Sequence, residues 1–201
     1  MNRHTKLMIL IAIGIILVGC GAATKEIARM SRSAKTDVFT EVPAEGTVPA
    51  GFGYLIITAS VKTPLEGYYI LESKESMHGK PGYPFLLNID GQVVLCKVDG
   101  RKEAIPRYDE KGKTSRNPDA GVGMKYTLEK RVGLIAGVHK VFFALPDDDY
   151  FIEADVTVKE GEQAVLEFKP VYKYKTFPTR IPTFLKGIKQ YEVYLNGEKI
   201  R

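Results

Sequence analysis

The feature that most constrains the fold is a series of short runs rich in β-branched and aromatic residues, separated by glycine and proline. Runs of this length between turn-forming residues are typical of β-strands. Residues 152–158 alternate between apolar and polar side chains, which predicts a strand with one face in the core and the other in water. No helix longer than two turns is predicted in the folded part. Further strands are predicted at 54–61, 68–71, 85–89, 92–98, 124–131, 138–145, 163–172 and 191–195.

Two pairs of these runs are joined by dipeptides that favour tight hairpins. Asp90-Gly91 separates 85–89 from 92–98, and Asn196-Gly197 separates 191–195 from 198–201. Such dipeptides tolerate the positive φ angles of a two-residue β-turn. Because the strands are short and do not alternate with helices, we predict an all-β domain built as a sandwich or a partly open barrel.

A pattern across residues 133–170 makes this prediction more specific. It resembles the second half of a PEGA-like domain, a small immunoglobulin-like β-sandwich of bacterial surface proteins in which a Gly-x-His turn precedes a strand. In this resemblance the hairpin at 84–94 corresponds to the first hairpin of the domain. The resemblance implies an immunoglobulin-like fold more than an activity. The residues that carry it are Gly137, Val138, His139, Lys140, Val141, Tyr150, Phe151, Val156, Val158, Gly161 and Leu166.

The amino-terminal segment has the order of parts of a secretory signal peptide. Met1–Lys6 contains Arg3 and Lys6 and no acidic residue, and the segment Leu7–Gly19 that follows is almost wholly apolar. As a helix this apolar segment would rise only about 20 Å, whereas the hydrocarbon core of a bilayer is roughly 30 Å thick. We therefore predict that residues 1–19 are a signal peptide and not a permanent transmembrane span.

Leu17, Val18, Gly19 and Cys20 resemble the lipobox of bacterial lipoproteins. The resemblance implies transfer of a lipid to the sulfur of Cys20, cleavage between Gly19 and Cys20, and usually acylation of the new amino terminus. Two or more acyl chains hold a protein to a membrane without a spanning helix. The residue after Cys20 is Gly21, whereas an Asp at this position would resemble the inner-membrane retention signal of enteric bacteria. The lack of Asp here favours the outer membrane where the cell has one.

Residues 20–50 mix small and charged side chains with few apolar ones. This composition predicts a flexible, lipid-anchored linker, with the β-sandwich domain at 51–201. As a coil, the linker would reach on the order of 30 Å. Its basic residues would lie favourably near anionic lipid head groups. These residues are Lys25, Arg29, Arg32 and Lys35.

Charge and cysteine content argue against a nucleic-acid-binding protein and against a domain stabilised by disulfides. Loss of Arg3 and Lys6 with the leader lowers the net charge from +5 to about +3, an excess too small to indicate a nucleic-acid partner. If Cys20 carries lipid, Cys96 has no cysteine with which to form an intramolecular disulfide. Stability must then come from a hydrophobic core, and Cys96, in an apolar run, is expected to pack as a small hydrophobic residue.

The segment at about 99–123 differs in character from its neighbours, since it is rich in charged residues, glycine and proline. We predict a long mobile insertion. Loops of more than about 15 residues in compact domains are usually functional or disordered. The segment is therefore either a site of partner contacts or a solvated loop.

Residues with catalytic or metal-binding potential are few. After residue 19 the chain has two histidines, His78 and His139, and their spacing suits no common zinc site. His139 is expected to bond the backbone at a strand entrance. His78 could act as a general base only if the fold placed a nucleophile beside it. No Gly-x-Ser-x-Gly motif supplies such a nucleophile. The run 147–149 could bind a hard cation but is expected to form a charged turn after Pro146. No catalytic residue, metal or cofactor is predicted.

Tyr172, Lys173, Tyr174 and Lys175 interleave aromatic and cationic side chains and are the candidate binding residues. In an extended chain the tyrosines point to one face and the lysines to the other. Two explanations stay open. The tyrosines face the core while the lysines are solvated, or the run forms a surface for a glycan or polyanion through ring stacking and cation contacts.

Together these features predict a lipid-anchored, non-catalytic interaction or structural module of a bacterial cell envelope. Its partners would be the membrane, through Cys20, and an envelope protein or glycan. The alternatives are a glycan- or polyanion-binding module and, less favoured, an envelope hydrolase.

Overall fold

The computed structural model describes residues 20–43, 46, 49–104, 108, 110–112, 120–173 and 183–201. Within these residues the chain forms one α-helix, α1 (Cys20–Met30), and two short 3₁₀ turns, Pro146–Asp148 and Thr183–Lys186. The strands are β1 (Phe39–Glu41), β2 (Phe52–Thr63), β3 (Tyr83–Ile89), β4 (Gln92–Val98), β5 (Arg101–Glu103), β6 (Gly123–Ile135), β7 (Gly137–Leu145), β8 (Tyr150–Val158), β9 (Gln163–Tyr172), β10 (Ile188–Leu195) and β11 (Glu198–Lys199).

The strands form two sheets in a sandwich-like arrangement. The seven-stranded sheet has the order β1-β6-β2-β9-β10-β11, with β5 also paired to β6, and the four-stranded sheet has the order β4-β3-β7-β8. Strands β2 and β9 pair in parallel, whereas the other described pairs are antiparallel. This architecture confirms the prediction of an all-β fold with two sheets.

Aromatic side chains join the two sheets across the core. Phe143 of β7 stacks on Phe168 of β9 with ring centroids 4.5 Å apart, and Tyr83 of β3 stacks on Tyr126 of β6 at 4.7 Å. All four side chains are buried. Contacts of this kind stabilise a core beyond the burial of area alone.

Most predicted strands are confirmed, and the strand predicted at 163–172 has the same bounds as β9. Both hairpins form with positive φ at their two turn residues, 47° and 99° at Asp90-Gly91 and 51° and 85° at Asn196-Gly197. These angles are those that a type I′ turn requires.

The strand predicted at 68–71 is wrong. Gly67 has a φ of +73°, and the chain turns twice through bonds from the Tyr68 N–H to the Leu65 carbonyl and from the Glu72 N–H to the Tyr69 carbonyl. Apolar residues predicted a strand here, but none of the described strands pairs with them. Ile70 and Leu71 are instead 99% and 97% exposed.

The flexible linker predicted over 20–50 is also wrong for much of its length. Helix α1 covers 11 residues and buries Ile27 against Leu86, Phe142 and Ala144 on the outer face of the four-stranded sheet. Strand β1 pairs with β6 and buries Phe39. The apolar residues of this segment are few, but long-range packing buries them and so offsets the entropy lost on ordering the chain.

Hydrogen bonds at its two ends fix the direction of α1. The Thr24 hydroxyl donates to Asp149 Oδ1 at 2.9 Å, next to the β7–β8 turn. The Met30 carbonyl accepts from Asn88 Nδ2 at 2.8 Å, near the β3–β4 hairpin at the other end of the sheet. Cys20 therefore lies at the same end of the sandwich as the β7–β8 turn, which we call the β7–β8 end.

The insertion predicted at 99–123 is partly ordered, which corrects that prediction. Its β5 pairs with β6, and Glu103 of β5 lies 2.6 Å from Nζ of Lys62, a residue only 2% exposed. A buried ammonium group needs a nearby anion to offset its lost hydration, and Glu103 supplies one. Residues 105–107, 109 and 113–119 of the insertion lie outside the described residues.

Replacement of Ile27 by Ala tests whether α1 is an integral part of the domain. Truncation of this buried side chain should lower the free energy of unfolding by about 2 kcal/mol. The measurement is urea denaturation followed by circular dichroism. Lys25→Ala, an exposed change on the same helix, is the control and should leave stability within about 0.5 kcal/mol of wild type. Equal stability of Ile27→Ala and wild type would show that the helix does not stabilise the sandwich.

Candidate functional site

A cluster of ionisable side chains lies where the β2–β3 loop, residues 64–82, meets the β7–β8 turn. His78 is at its centre. Its Nδ1 lies 2.6 Å from Glu72 Oε1, and its Nε2 lies 3.3 Å from Asp148 Oδ1 and 3.6 Å from Asp147 Oδ2. The Tyr83 hydroxyl donates to the second oxygen of Asp148. We call these five residues the His78 cluster.

The 3₁₀ turn Pro146–Asp148 directs two carboxylates toward the loop. Asp147 Oδ2 accepts the Met77 N–H at 3.0 Å, and Asp148 contacts His78 and Tyr83. The acidic run after Pro146 forms a turn, as predicted, and the carboxylates of both Asp147 and Asp148 lie near His78. The turn is not extended, so its side chains do not alternate between opposite faces.

Gly79 allows the loop to close tightly enough to place His78. Its φ is +74°, and a Cβ at this position would lie 1.9 Å from the backbone nitrogen of Glu66. Its N–H donates to Thr63 Oγ1, at the end of β2, at 3.1 Å. Only glycine combines this backbone conformation with so close an approach.

The cluster keeps His78 positively charged at neutral pH. Burial by itself lowers the pKa of the imidazole. Three carboxylates outweigh this effect and raise the pKa to about 9: Asp148 through a hydrogen bond and its charge, Asp147 through its charge, and Glu72 through a hydrogen bond. Burial raises the pKa of Tyr83 well above its ordinary value, and the charge of Asp148 adds to that effect. Tyr83 is therefore a neutral hydrogen-bond donor.

This protonation state limits the chemistry available to the cluster. A protonated imidazole has no lone pair with which to accept a proton, and both nitrogens of His78 already face carboxylates. His78 is thus unsuited to act as a general base at neutral pH. The arrangement instead holds the β2–β3 loop against the sandwich through ionic hydrogen bonds.

Two shallow clefts adjoin the cluster. One, of about 190 Å³, is lined by residues that include Lys62, His78, Asp148 and Phe184. The other, of about 300 Å³, is lined by residues of the β2–β3 loop and also borders His78. Small-molecule sites usually occupy about 300–1,000 Å³ and enclose most of the ligand, so these clefts are at or below the lower limit.

No metal site is found in the described part of the chain. Among those residues no group of three or more histidines, cysteines and carboxylates is arranged to hold an ion. Nor does any described helix combine the length and the apolar character that crossing a bilayer needs.

The described part of the candidate binding run, Tyr172 and Lys173, is divided between the core and the surface. Tyr172 is 3% exposed, and its hydroxyl accepts the Lys62 N–H at 2.9 Å, whereas Lys173 is exposed. Tyr174 and Lys175 lie outside the described residues. The ring of Tyr172 is therefore not accessible for stacking on a glycan.

The remaining sequence candidates have structural partners. His139 bonds the Ile135 carbonyl through Nε2 at 2.7 Å, as predicted for a strand entrance, and its Nδ1 lies 2.7 Å from Asp90 Oδ2. Cys96 is half-buried against the core, and burial raises the pKa of its thiol. Such a thiol is less reactive because less of it is ionised. Cys20 is the first described residue, and Gly19 lies outside the described part.

The contact of His78 with its carboxylates is not visible in the sequence alone, because Asp148 is 70 residues away along the chain. The sequence does contain one signal. A predicted strand ends at Leu145 and is followed at once by Pro146 and three acidic residues, which places charge at a strand end. Which loop this charge would meet depends on the pairing of β3 with β7, a long-range contact.

Comparison of the chain with protein-family models, with characterised proteins and with solved structures gives no match in any of the three. No relative therefore supplies a function, and the residues themselves carry the evidence.

Proton NMR titration of His78 tests the cluster directly. We expect a midpoint near pH 9 in the wild-type protein. In Asp148→Asn the midpoint should be lower, because that substitution removes a charge that raises the pKa. A wild-type midpoint close to 6.5 would contradict the arrangement.

The same pKa shift predicts how stability depends on pH. Because the folded pKa is above the unfolded value of 6.5, the stabilisation by His78 is fully present below pH 6.5 and is lost as the pH rises through about 9. His78→Gln should therefore reduce the free energy of unfolding by about 2 kcal/mol at pH 6, after allowance for partial exposure. The difference from wild type should shrink above pH 9. Urea denaturation across this pH range measures it, with Lys74→Gln as the exposed control in the same loop.

Proposed function

We propose that the protein is a lipid-anchored lipoprotein of a bacterial cell envelope, in which the folded domain acts as a non-catalytic interaction or structural module. The observation that carries the proposal is the sequence Leu17-Val18-Gly19-Cys20 at the end of an apolar segment that follows Arg3 and Lys6. Transfer of a lipid to the Cys20 sulfur, followed by cleavage before this residue, would leave a lipid-bearing amino terminus whose α-amino group can be acylated in turn. Two or more acyl chains would then hold the domain to the bilayer.

The position of Cys20 in the fold is compatible with such an anchor. Helix α1 begins at Cys20 and extends along the outer face of the four-stranded sheet, with Ile27 buried beneath it. An acylated Cys20 would therefore be joined to the domain through a packed helix and would hold the β7–β8 end close to the membrane. This differs from display on a coil that could reach on the order of 30 Å.

The His78 cluster supports a non-catalytic role. Its histidine is protonated at neutral pH and is held by carboxylates at both nitrogens, an arrangement that suits holding the loop in place. The clefts beside it are small and open. Binding of a protein or glycan of the envelope across a loop surface fits these features better than enclosure of a small substrate.

We propose further that the sandwich is immunoglobulin-like, of the PEGA-like type. The two parts of the sequence pattern, the Asp90-Gly91 hairpin and the Gly-x-His turn, meet in space. His139 Nδ1 lies 2.7 Å from one carboxylate oxygen of Asp90, and the Lys140 N–H donates to the other at 2.8 Å. Contact between the motifs is what a common structural unit would require.

Metabolic labelling with radioactive palmitate tests the proposed anchor. The wild-type protein should incorporate label and migrate with the membrane fraction, because acylation at Cys20 adds the hydrophobic chains that hold it there. Cys20→Ser should lose both the label and membrane retention.

The matched control is Cys96→Ser, which removes the other thiol and should leave labelling unchanged. Label that persists at the wild-type level in Cys20→Ser, or an unlabelled wild-type protein with its leader intact, would refute the proposal.

A further inference from the structure

The β2–β3 loop presents four consecutive large apolar or aromatic residues to solvent. Tyr68 and Tyr69 are about half exposed, and Ile70 and Leu71 are almost fully exposed. Single exposed apolar residues are common on protein surfaces, but a continuous run of this kind usually marks an interaction site.

Contacts at the base of the loop hold this run in place. The Tyr69 hydroxyl donates to the Leu185 carbonyl at 2.9 Å, and the ring of Tyr68 packs edge-on against that of Tyr69 at 4.9 Å. On the other side of the run, Glu72 bonds His78 within the His78 cluster. The exposure of Ile70 and Leu71 is thus a property of the folded loop.

The run lies at the same end of the sandwich as Cys20. Three consecutive acidic residues of the β7–β8 turn make the connection: Asp149 accepts from Thr24 of α1, whereas Asp147 and Asp148 contact Met77 and His78 of the loop. Cys20 precedes Thr24 by four residues, so it lies about 6 Å farther along the helix axis in the direction of this end.

We propose that Tyr68–Leu71 is a second membrane contact, which inserts into the lipid interface beside the acyl chains on Cys20. The inference rests on the proposed lipid anchor, because that anchor is what brings this end of the domain to the bilayer. Once the anchor is inserted, the loop meets the membrane at a high effective concentration and needs little affinity of its own.

The chemistry of the run suits the boundary between head groups and acyl chains. Ile70 and Leu71 can enter the apolar layer, while tyrosines are enriched at the interface because their rings are apolar and their hydroxyls are polar. Exposed charges on either side of the run in the loop have both signs, Lys74 against Glu66 and Glu75. Insertion should therefore depend on apolar contact and be only weakly affected by salt.

The absence of tryptophan from the whole chain allows a direct test. Leu71→Trp gives the lipidated protein a single tryptophan at the proposed contact. After reconstitution into vesicles of phosphatidylglycerol and acyl-brominated phosphatidylcholine, its emission should shift to the blue and be strongly quenched by the bromine atoms. Ile70→Trp provides a second probe should the first substitution disturb the loop.

Val138→Trp is the matched control. Val138 is 70% exposed and lies beside His139, whose contact with Asp90 places it at the opposite end of the sandwich. Its tryptophan should emit as in water and remain unquenched in the same vesicles.

The outcomes separate this inference from the proposed function. If the protein is lipidated and vesicle-bound, but Leu71→Trp and Ile70→Trp both give the emission and quenching of the control, the loop contact is overturned and the anchor stands. A blue shift without bromine quenching would mean that a second copy of the chain covers the run, which also overturns the loop contact. Protein recovered without lipid on Cys20 would instead refute the anchor.

Discussion

Burial of the central part of the four-stranded sheet, in β3 and β7, on both faces is the constraint on which the rest of the structure depends. The inner face packs on the seven-stranded sheet, with Phe143 stacked on Phe168. The outer face carries Leu86, Phe142 and Ala144, which would meet water if Ile27 of α1 did not cover them. Because this helix belongs to the core, the position of Cys20 is tied to that of the sandwich. A lipid on Cys20 would therefore orient the domain as well as retain it at the membrane.

The β7–β8 turn links this helix to the β2–β3 loop. Its Asp149 receives the hydrogen bond from Thr24, and its Asp147 and Asp148 face His78. A partly buried imidazolium is stable only where anions offset its lost hydration, so the charge of His78 depends on this turn. One short turn thus positions both the helix that carries the proposed anchor and the loop that carries the exposed apolar run.

Strands and hairpins could be predicted because their signals are local. The turn residues Asp90-Gly91 and Asn196-Gly197 dictate positive φ, and alternation in 152–158 follows from one strand alone. The apolar runs in β3 and β7 also indicate strands covered on both faces, but they do not indicate which element covers the outer face. Apolar content predicted a strand at 68–71, where no described strand lies alongside. Low apolar content predicted a coil at 20–50, where packing orders α1 and β1.

The sequence by itself determined the all-β class, the two hairpin turns and the candidate lipobox, because each follows from residues adjacent in the chain. Only the tertiary structure decided that α1 covers the outer face of the four-stranded sheet and that His78 meets Asp147 and Asp148. It also decided that the apolar run 68–71 faces solvent at the end where Cys20 lies. These outcomes depend on strand order and on contacts between residues far apart in the chain, which no local pattern of side chains encodes.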